Sequence, residues 1–331
     1  MTGRLEHRLR NETSIQNMLK NLPDYVTNYY NTFSIGRESK TCENYIRKLR
    51  EFFAYLQAQK LQLEDVTESV VVRYLKTKSI KTMPDGTITE TSASHQRGIH
   101  AALNSFFEYL VSQKILTQNP IQHVARVKNT DEVHRVWLTI EDFEKILEAV
   151  NTGVGNARAV GRQKKWRTRD RAILLLFMFT GMRETALTEI NVDDIDFDEK
   201  VLTIVDKRKK THTFAITDSL MNVIIGWLLD RDSFIGKHNE TDALFISNRC
   251  TRLSEDAVVD IVKKYTHAAL GYGVSPHKLR ASVCRILYQK TRDVKFVRDF
   301  IGHRNIATTT MYIGDDSEVK ERGAQMLDFL E

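Results

Sequence analysis

Apolar positions recur at helical spacing through most of the chain and at strand spacing in one short stretch. Ile15, Met18, Leu19 and Leu22, then Tyr25, Val26, Tyr29 and Tyr30, follow the three- and four-residue steps of a helix stripe. Tyr45, Leu49, Phe52, Phe53 and Leu56 form a second stripe, with Arg47, Lys48 and Arg50 on the opposite face. Thr67 is placed to cap a third helix. Pro84-Asp85-Gly86 reads as a turn, in either a small hairpin or a loop insertion. Ile99, Leu103, Phe106, Phe107 and Leu110 predict a longer helix from about Ser92 to Gln113, and Asn119-Pro120 reads as the start of a short last helix. Four or five such helices make a compact bundle of ~100 residues, in which the aromatic side chains are core rather than platforms for stacked bases.

Residues 126–136 are polar and aperiodic, which predicts a linker between a helical domain over 1–125 and a second domain over 137–331. The second domain opens at Thr139, with Asp142 three residues on in a capping-box arrangement. A loop rich in Gly, Arg and Lys is expected from Asn151 to Trp166, then a buried helix from Arg169 to Phe179 that ends at Thr180-Gly181. Asp194 to Phe197, Val201 to Val205 and Thr213 to Thr217 alternate and are β-branched, predicting a three-stranded meander. Ser219 to Leu229, Ser254 to Ala269, Pro276 to Lys290, Asp293 to Ile301 and a tail from Asp316 read as helices. The fold class is therefore mainly α, with one small antiparallel β-meander.

Composition narrows the picture. No apolar run approaches the ~20 residues that span a bilayer, and the first residues lack the apolar core of a signal peptide. Cys42, Cys250 and Cys284 are too scattered for a Cys-x-x-Cys pair, which suits free thiols in a reducing cytoplasm. The net charge is +6, and residues 1–130, with 18 Lys and Arg against 12 Asp and Glu, carry all of that excess. A basic domain joined to a neutral one suits a polyanion clamp attached to a more specific site.

The candidate chemistry lies late in the chain. Gly181-Met182-Arg183 ends the apolar helix, Lys207, Lys209 and Lys210 crowd a predicted hairpin turn, and His277-Lys278-Leu279-Arg280 opens a helix. Gly302-His303 and then Tyr312 follow. A phosphodiester gains charge as a nucleophile adds, so catalysis needs fixed positive charge and donors at its non-bridging oxygens. Arginine supplies both through a planar fork that stays protonated. His277 and Arg280, three residues apart, are expected on one helix face. Tyr312 is placed to act as nucleophile, and a hairpin lysine to protonate the departing sugar oxygen. Each motif alone is ordinary surface or core; their order and spacing carry the reading.

Gly-x-Arg, a hairpin lysine, His-x-x-Arg, Gly-His and a following Tyr resemble the signature of the tyrosine recombinases, the phage-integrase family, in its Xer-like, simple-integrase branch. The resemblance spans about residues 15–331. It implies a SAM-like helical core-binding domain and a catalytic domain that clamp double-stranded DNA. By the same resemblance, Arg183 and Arg280 bind the scissile phosphate, Tyr312 attacks it, His277 assists proton transfer, His303 hydrogen-bonds the phosphate, and Lys210 is the general acid, with Lys209 and Lys207 as alternatives. The implied reaction is site-specific recombination through a 3′-phosphotyrosyl intermediate and a Holliday junction, with neither metal nor cofactor. The implied assembly is a homotetramer on two duplexes that exchanges C-terminal helices, with no membrane partner. Two positions depart from the pattern. Ala186 stands where the family carries an acid, with Glu184 nearby, and Ala281-Ser282 follows the second arginine. A type IB topoisomerase, with the same chemistry in a monomer, and a non-catalytic DNA-binding protein are the competing readings.

If Lys210 protonates the 5′-oxygen, Lys210→Ala slows cleavage of an ordinary phosphodiester by about 10²–10⁴-fold, and a bridging 5′-sulfur restores the rate because a thiolate leaves unprotonated. Equal defects on both substrates transfer the role to another residue, Lys209 first.

Overall fold

The computed structural model describes residues 3–83, 86–128, 137–205, 211–236 and 241–302. The chain separates into two compact units, one formed by Arg4–His134 and the other by Met1–Gly3 together with Arg135–Glu331. Among the described residues no helix is long and apolar enough to cross a membrane.

The first unit holds helices α1 (Gly3–Leu19), α2 (Asp24–Phe33), α3 (Ser39–Ala58), α4 (Glu68–Lys78) and α5 (Ala93–Ser112). The periodicity from Ile15 to Tyr30 is split by Pro23, which has no N–H for a continuing helix and instead stands as N-cap of α2. Tyr29, Phe52, Tyr74, Phe106 and Phe107 are all fully enclosed. Their rings meet edge to face, Tyr29 with Phe106 at 5.4 Å and Phe52 with Tyr74 at 5.0 Å, which is core packing and leaves no open base-stacking platform in this set. Tyr29 is accommodated there because its hydroxyl donates to Ser105 Oγ at 2.9 Å.

Between α4 and α5, strands β1 (Ile80–Thr82) and β2 (Ile88–Glu90) pair antiparallel as a hairpin. Pro84 and Asp85 themselves lie outside the described residues. The helix expected from Asn119-Pro120 is instead a tight turn. Asn119 Oδ1 takes the Ile121 N–H at 3.1 Å as an N-cap would, but the backbone bonds that follow, Gln122 N to Asn119 O and Val124 N to Ile121 O, span three residues and close turns instead of an α-helix. His100 then donates from Nε2 to Val124 O, which ties the turn to α5.

The second unit begins with α6 (Ile140–Thr152), where Thr139 and Asp142 form the expected reciprocal capping box. The expected loop before the buried helix contains a helix of its own, α7 (Ala157–Lys164). Asn156 Oδ1 caps it through Ala159 N, and the Gln163 side chain clamps both backbone groups of Val154. Local capping therefore overrides the glycines at 153, 155 and 161. Helix α8 (Arg167–Thr180) runs through the core with Ile173, Leu174, Leu176 and Phe177 sealed from solvent. Its first turns are fixed by Asp170, a buried carboxylate that accepts from Arg169, Lys264 and the Tyr265 hydroxyl. Removing a partner from such a network costs about 3–5 kcal/mol, because it strands buried charge.

After α9 (Glu184–Glu189), strands β3 (Ile195–Asp196), β4 (Val201–Val205) and β5 (Thr211–Ala215) form an antiparallel sheet in sequence order. β5 ends two residues before the expected limit because Thr217 caps the next helix through Leu220 N. That helix, α10 (Asp218–Ile235), also outruns its expected end at Leu229. Arg231 permits the extension: its buried guanidinium donates to the carbonyls of Ala243 and Thr241. Trp227, fully buried, donates to Leu244 O from the same helix. Helices α11 (Glu255–Leu270), α12 (Pro276–Thr291) and α13 (Val294–Ile301) complete the described unit.

Candidate active site

Three of the six expected site residues fall within the described chain. Lys210, its alternatives Lys207 and Lys209, His303, Tyr312 and the C-terminal tail lie outside it, as do residues 129–136 of the expected linker.

Gly181 closes α8 in the left-handed conformation, with φ +58. A Cβ there would come within 2.5 Å of Ile301 Cδ1, so glycine favours both the left-handed turn and the approach of α13, where a larger residue would have to push the Ile301 side chain aside. The turn delivers Arg183, an exposed residue, as N-cap of α9. Arg280 reaches the same place from α12. The residue is only 2% exposed, and its guanidinium donates from Nη1 to Gly181 O at 2.5 Å and from Nη2 to Ile301 O at 3.1 Å. Both acceptors sit at helix C-termini, where unpaired carbonyls carry the negative end of the helix dipole. One buried cation thus ties the ends of α8 and α13 together.

Arg183 and Arg280 line one cleft, together with Ala186 and Glu189 of α9, Ile204 and Phe214 of the sheet, and His212 at the start of β5. Two guanidiniums on a shared wall suit a tetrahedral anion, one arginine reachable from solvent and the other fixed behind it.

His277 lies in the first turn of α12, beside Pro276 at the helix start. It is exposed and is not among the residues that line the cleft, whereas Arg280 is buried and lines it, so the two differ in burial although their charges interact. Partial burial lowers the imidazole pKa; the Glu184 carboxylate opposes this, and the Arg280 and Arg183 guanidiniums add to the lowering. The net effect keeps the ring neutral near pH 7 and able to accept a proton. Because the unfolded chain binds that proton more readily, the contribution of His277 to stability falls as pH drops through about 6.5 and levels off below the depressed value. Glu184 therefore acts electrostatically on His277, whereas Ala186 contributes only a small apolar surface to the cleft. Nearby, Thr185 donates to Glu255 of α11 at 2.7 Å, which holds α9 in place.

His212 was not among the sequence candidates. Its ring lies against Gly302, where an added Cβ would meet His212 Cε1 at 2.5 Å. The signal that could have revealed it is alternation. His212, Phe214 and Ile216 are the inward-facing set at the start of an otherwise exposed segment, so the histidine begins an apolar face pointing at the cleft.

Replacing Glu184 with Gln removes the group that raises the His277 pKa. The His277 titration midpoint, followed by NMR of the imidazole Hε1 in Glu184→Gln, is expected to move further down; an upward shift or none contradicts the assignment.

Comparison with known proteins identifies the family and the fold. Residues 136–318 match the model described as "Phage integrase family", and residues 26–114 match "Phage integrase, N-terminal SAM-like domain". The chain is 29% identical over 334 residues to "Tyrosine recombinase XerC" of Caldanaerobacter subterraneus subsp. tengcongensis, covering 94% of this chain and 89% of the relative. It is 28% identical to "Tyrosine recombinase XerC" of Thermodesulfovibrio yellowstonii, covering 89% and 92%. In fold it is similar to the XerH site-specific recombinase bound to a palindromic difH substrate, with TM-score 0.64, 21% identity and coverage of 87% of this chain and 80% of that one. It is likewise similar to a lambda integrase tetramer bound to a Holliday junction, with TM-score 0.62, 21% identity and coverage of 88% and 77%. With a family model spanning more than half of its length, and relatives matched nearly end to end, the chain belongs to the phage integrase family as a Xer-like tyrosine recombinase.

Proposed function

We propose that this site-specific DNA recombinase cleaves through Tyr312, with Arg183 and Arg280 holding the scissile phosphate, His277 and His303 assisting, and Lys210 protonating the leaving oxygen. Attack by the Tyr312 hydroxyl on phosphorus forms a 3′-phosphotyrosyl bond and breaks the bond to the 5′-oxygen, which leaves as a hydroxyl once protonated. A 5′-hydroxyl from the partner strand then attacks the same phosphorus and releases Tyr312. Each step exchanges one phosphodiester for another, so the bond energy is conserved and no nucleotide is hydrolysed. The single observation that best supports the phosphate assignment is the shared cleft of Arg183 and Arg280, with Arg280 already fixed by two backbone carbonyls. Preorganised donors of this kind are worth about 2.7–4 kcal/mol each in other enzymes, since no reorganisation accompanies charge development.

The substrate is double-stranded DNA at specific sites. The positive excess of residues 1–130 favours sequence-independent phosphate contacts by the helical unit. Two strand exchanges need four active sites, which calls for a homotetramer on two duplexes. Met326, Leu327, Phe329 and Leu330 near the C-terminus supply an apolar segment for exchange with a neighbouring protomer. A cytoplasmic location goes with this role.

On a nicked duplex carrying a recombination site, the wild-type chain is expected to yield a protein–DNA adduct that survives denaturation, and to transfer strands between two duplexes. Tyr312→Phe, which keeps the ring and removes the nucleophile, should bind the site but give neither product. Adduct formation by the Phe variant would remove Tyr312 from the role, and adduct without inter-duplex transfer would favour the topoisomerase reading.

A further inference from the structure

We propose that His212 is a positioning residue for Arg280, acting as a wedge between the β-sheet and the C-terminal turn of α13. The proposal deepens the recombinase reading and rests on it. His212 is half-buried at the head of β5, and its partner across the sheet is Ile204 of β4, which lines the same cleft. The opposing surface is Gly302, in the left-handed conformation with φ +75. An ideal Cβ on Gly302 would lie 2.5, 2.9 and 3.1 Å from three atoms of the His212 ring, so the imidazole stands directly over the Gly302 α-carbon. No larger residue fits while the ring is there.

The residue before this turn supplies the contact that matters. Ile301 O accepts from Arg280 Nη2, and its direction is set by the peptide leading into Gly302. Phe214, next on the inward face of β5, meets Phe300 edge to face at 6.0 Å, so the strand touches α13 at two successive inward positions. The chain of contact runs from the His212 ring to Gly302, from there to the Ile301 carbonyl, and so to the Arg280 guanidinium. Removing the ring frees the turn to relax toward β5, and the carbonyl then ceases to hold the fork in one orientation. Misplacement of a catalytic group by about 1 Å costs on the order of 10²-fold in rate.

The test is single-turnover adduct formation on nicked DNA at saturating protein, together with site affinity. His212→Ala is expected to slow adduct formation by about 10–100-fold while DNA affinity stays within about twofold, a split that simple loss of folded protein does not produce. Arg280→Lys carries no planar fork to position. In that background the same His212→Ala change should therefore slow the reaction by less than about threefold, because residues acting as one unit are not additive. An unchanged rate for His212→Ala, or an equal further loss in the Arg280→Lys background, overturns the proposal. If His212→Ala loses DNA binding, the cycle is repeated with His212→Asn, where equal losses in the two backgrounds overturn it equally. Absence of any adduct from the wild-type chain would instead count against the recombinase reading.

Discussion

The described site depends on a single buried cation. Arg280 has almost no exposed surface, and a charge withdrawn from water is tolerated only when hydrogen-bonded. Its two located partners are Gly181 O and Ile301 O, which close α8 and α13. Helix C-termini are where such a charge is best received, worth about 0.3–1 kcal/mol each at the surface and up to about 2 in partly buried settings. The same bonds satisfy carbonyls that the helices leave unpaired. A guanidinium fixed in this way faces the cleft before any substrate arrives, and that is the condition for electrostatic catalysis without reorganisation.

Several other features exist to keep the two helix ends close. Both ends turn through left-handed glycines, Gly181 and Gly302, and each meets a neighbour at a distance that forbids a Cβ. The sheet closes one side of the cleft through Ile204, His212 and Phe214, while α9 carries Arg183 away from the Gly181 turn toward solvent. At the far end of α8, Asp170 and its three donors stop the helix from sliding in the core. His277 stands outside this framework, exposed in the first turn of α12. There it reads the charges of Glu184, Arg280 and Arg183, and its environment favours the neutral ring.

Much of this was legible in the sequence, for reasons that differ from residue to residue. Arg183 and Arg280 stood out because of the order and spacing of Gly-x-Arg and His-x-x-Arg, and Thr139 because a capping box needs only local chemistry. The early end of β5 and the full length of α10 were not readable, since both follow from choices made elsewhere: Thr217 turning to cap a helix, and Arg231 finding distant carbonyls. α7 was hidden by its glycines, and its stability comes from the Asn156 cap and the Gln163 clamp rather than from propensity. His212 escaped because a lone histidine in a strand carries no motif; its meaning appears only when Gly302 is placed against it. The departure at Ala186 looked like a lost acid, yet Glu184, two residues earlier, still exerts its charge on His277.

The central claim is that Arg280 is locked by two backbone carbonyls in the absence of DNA. Nitrogen-15 NMR of the DNA-free protein, with the Arg280 signals assigned by comparison with Arg280→Lys, tests it most directly. A doubly anchored, buried guanidinium cannot rotate freely about its Cζ–Nη bonds, so separate Nη1 and Nη2 signals protected from solvent exchange are predicted. A single averaged signal in rapid exchange with water would contradict the account.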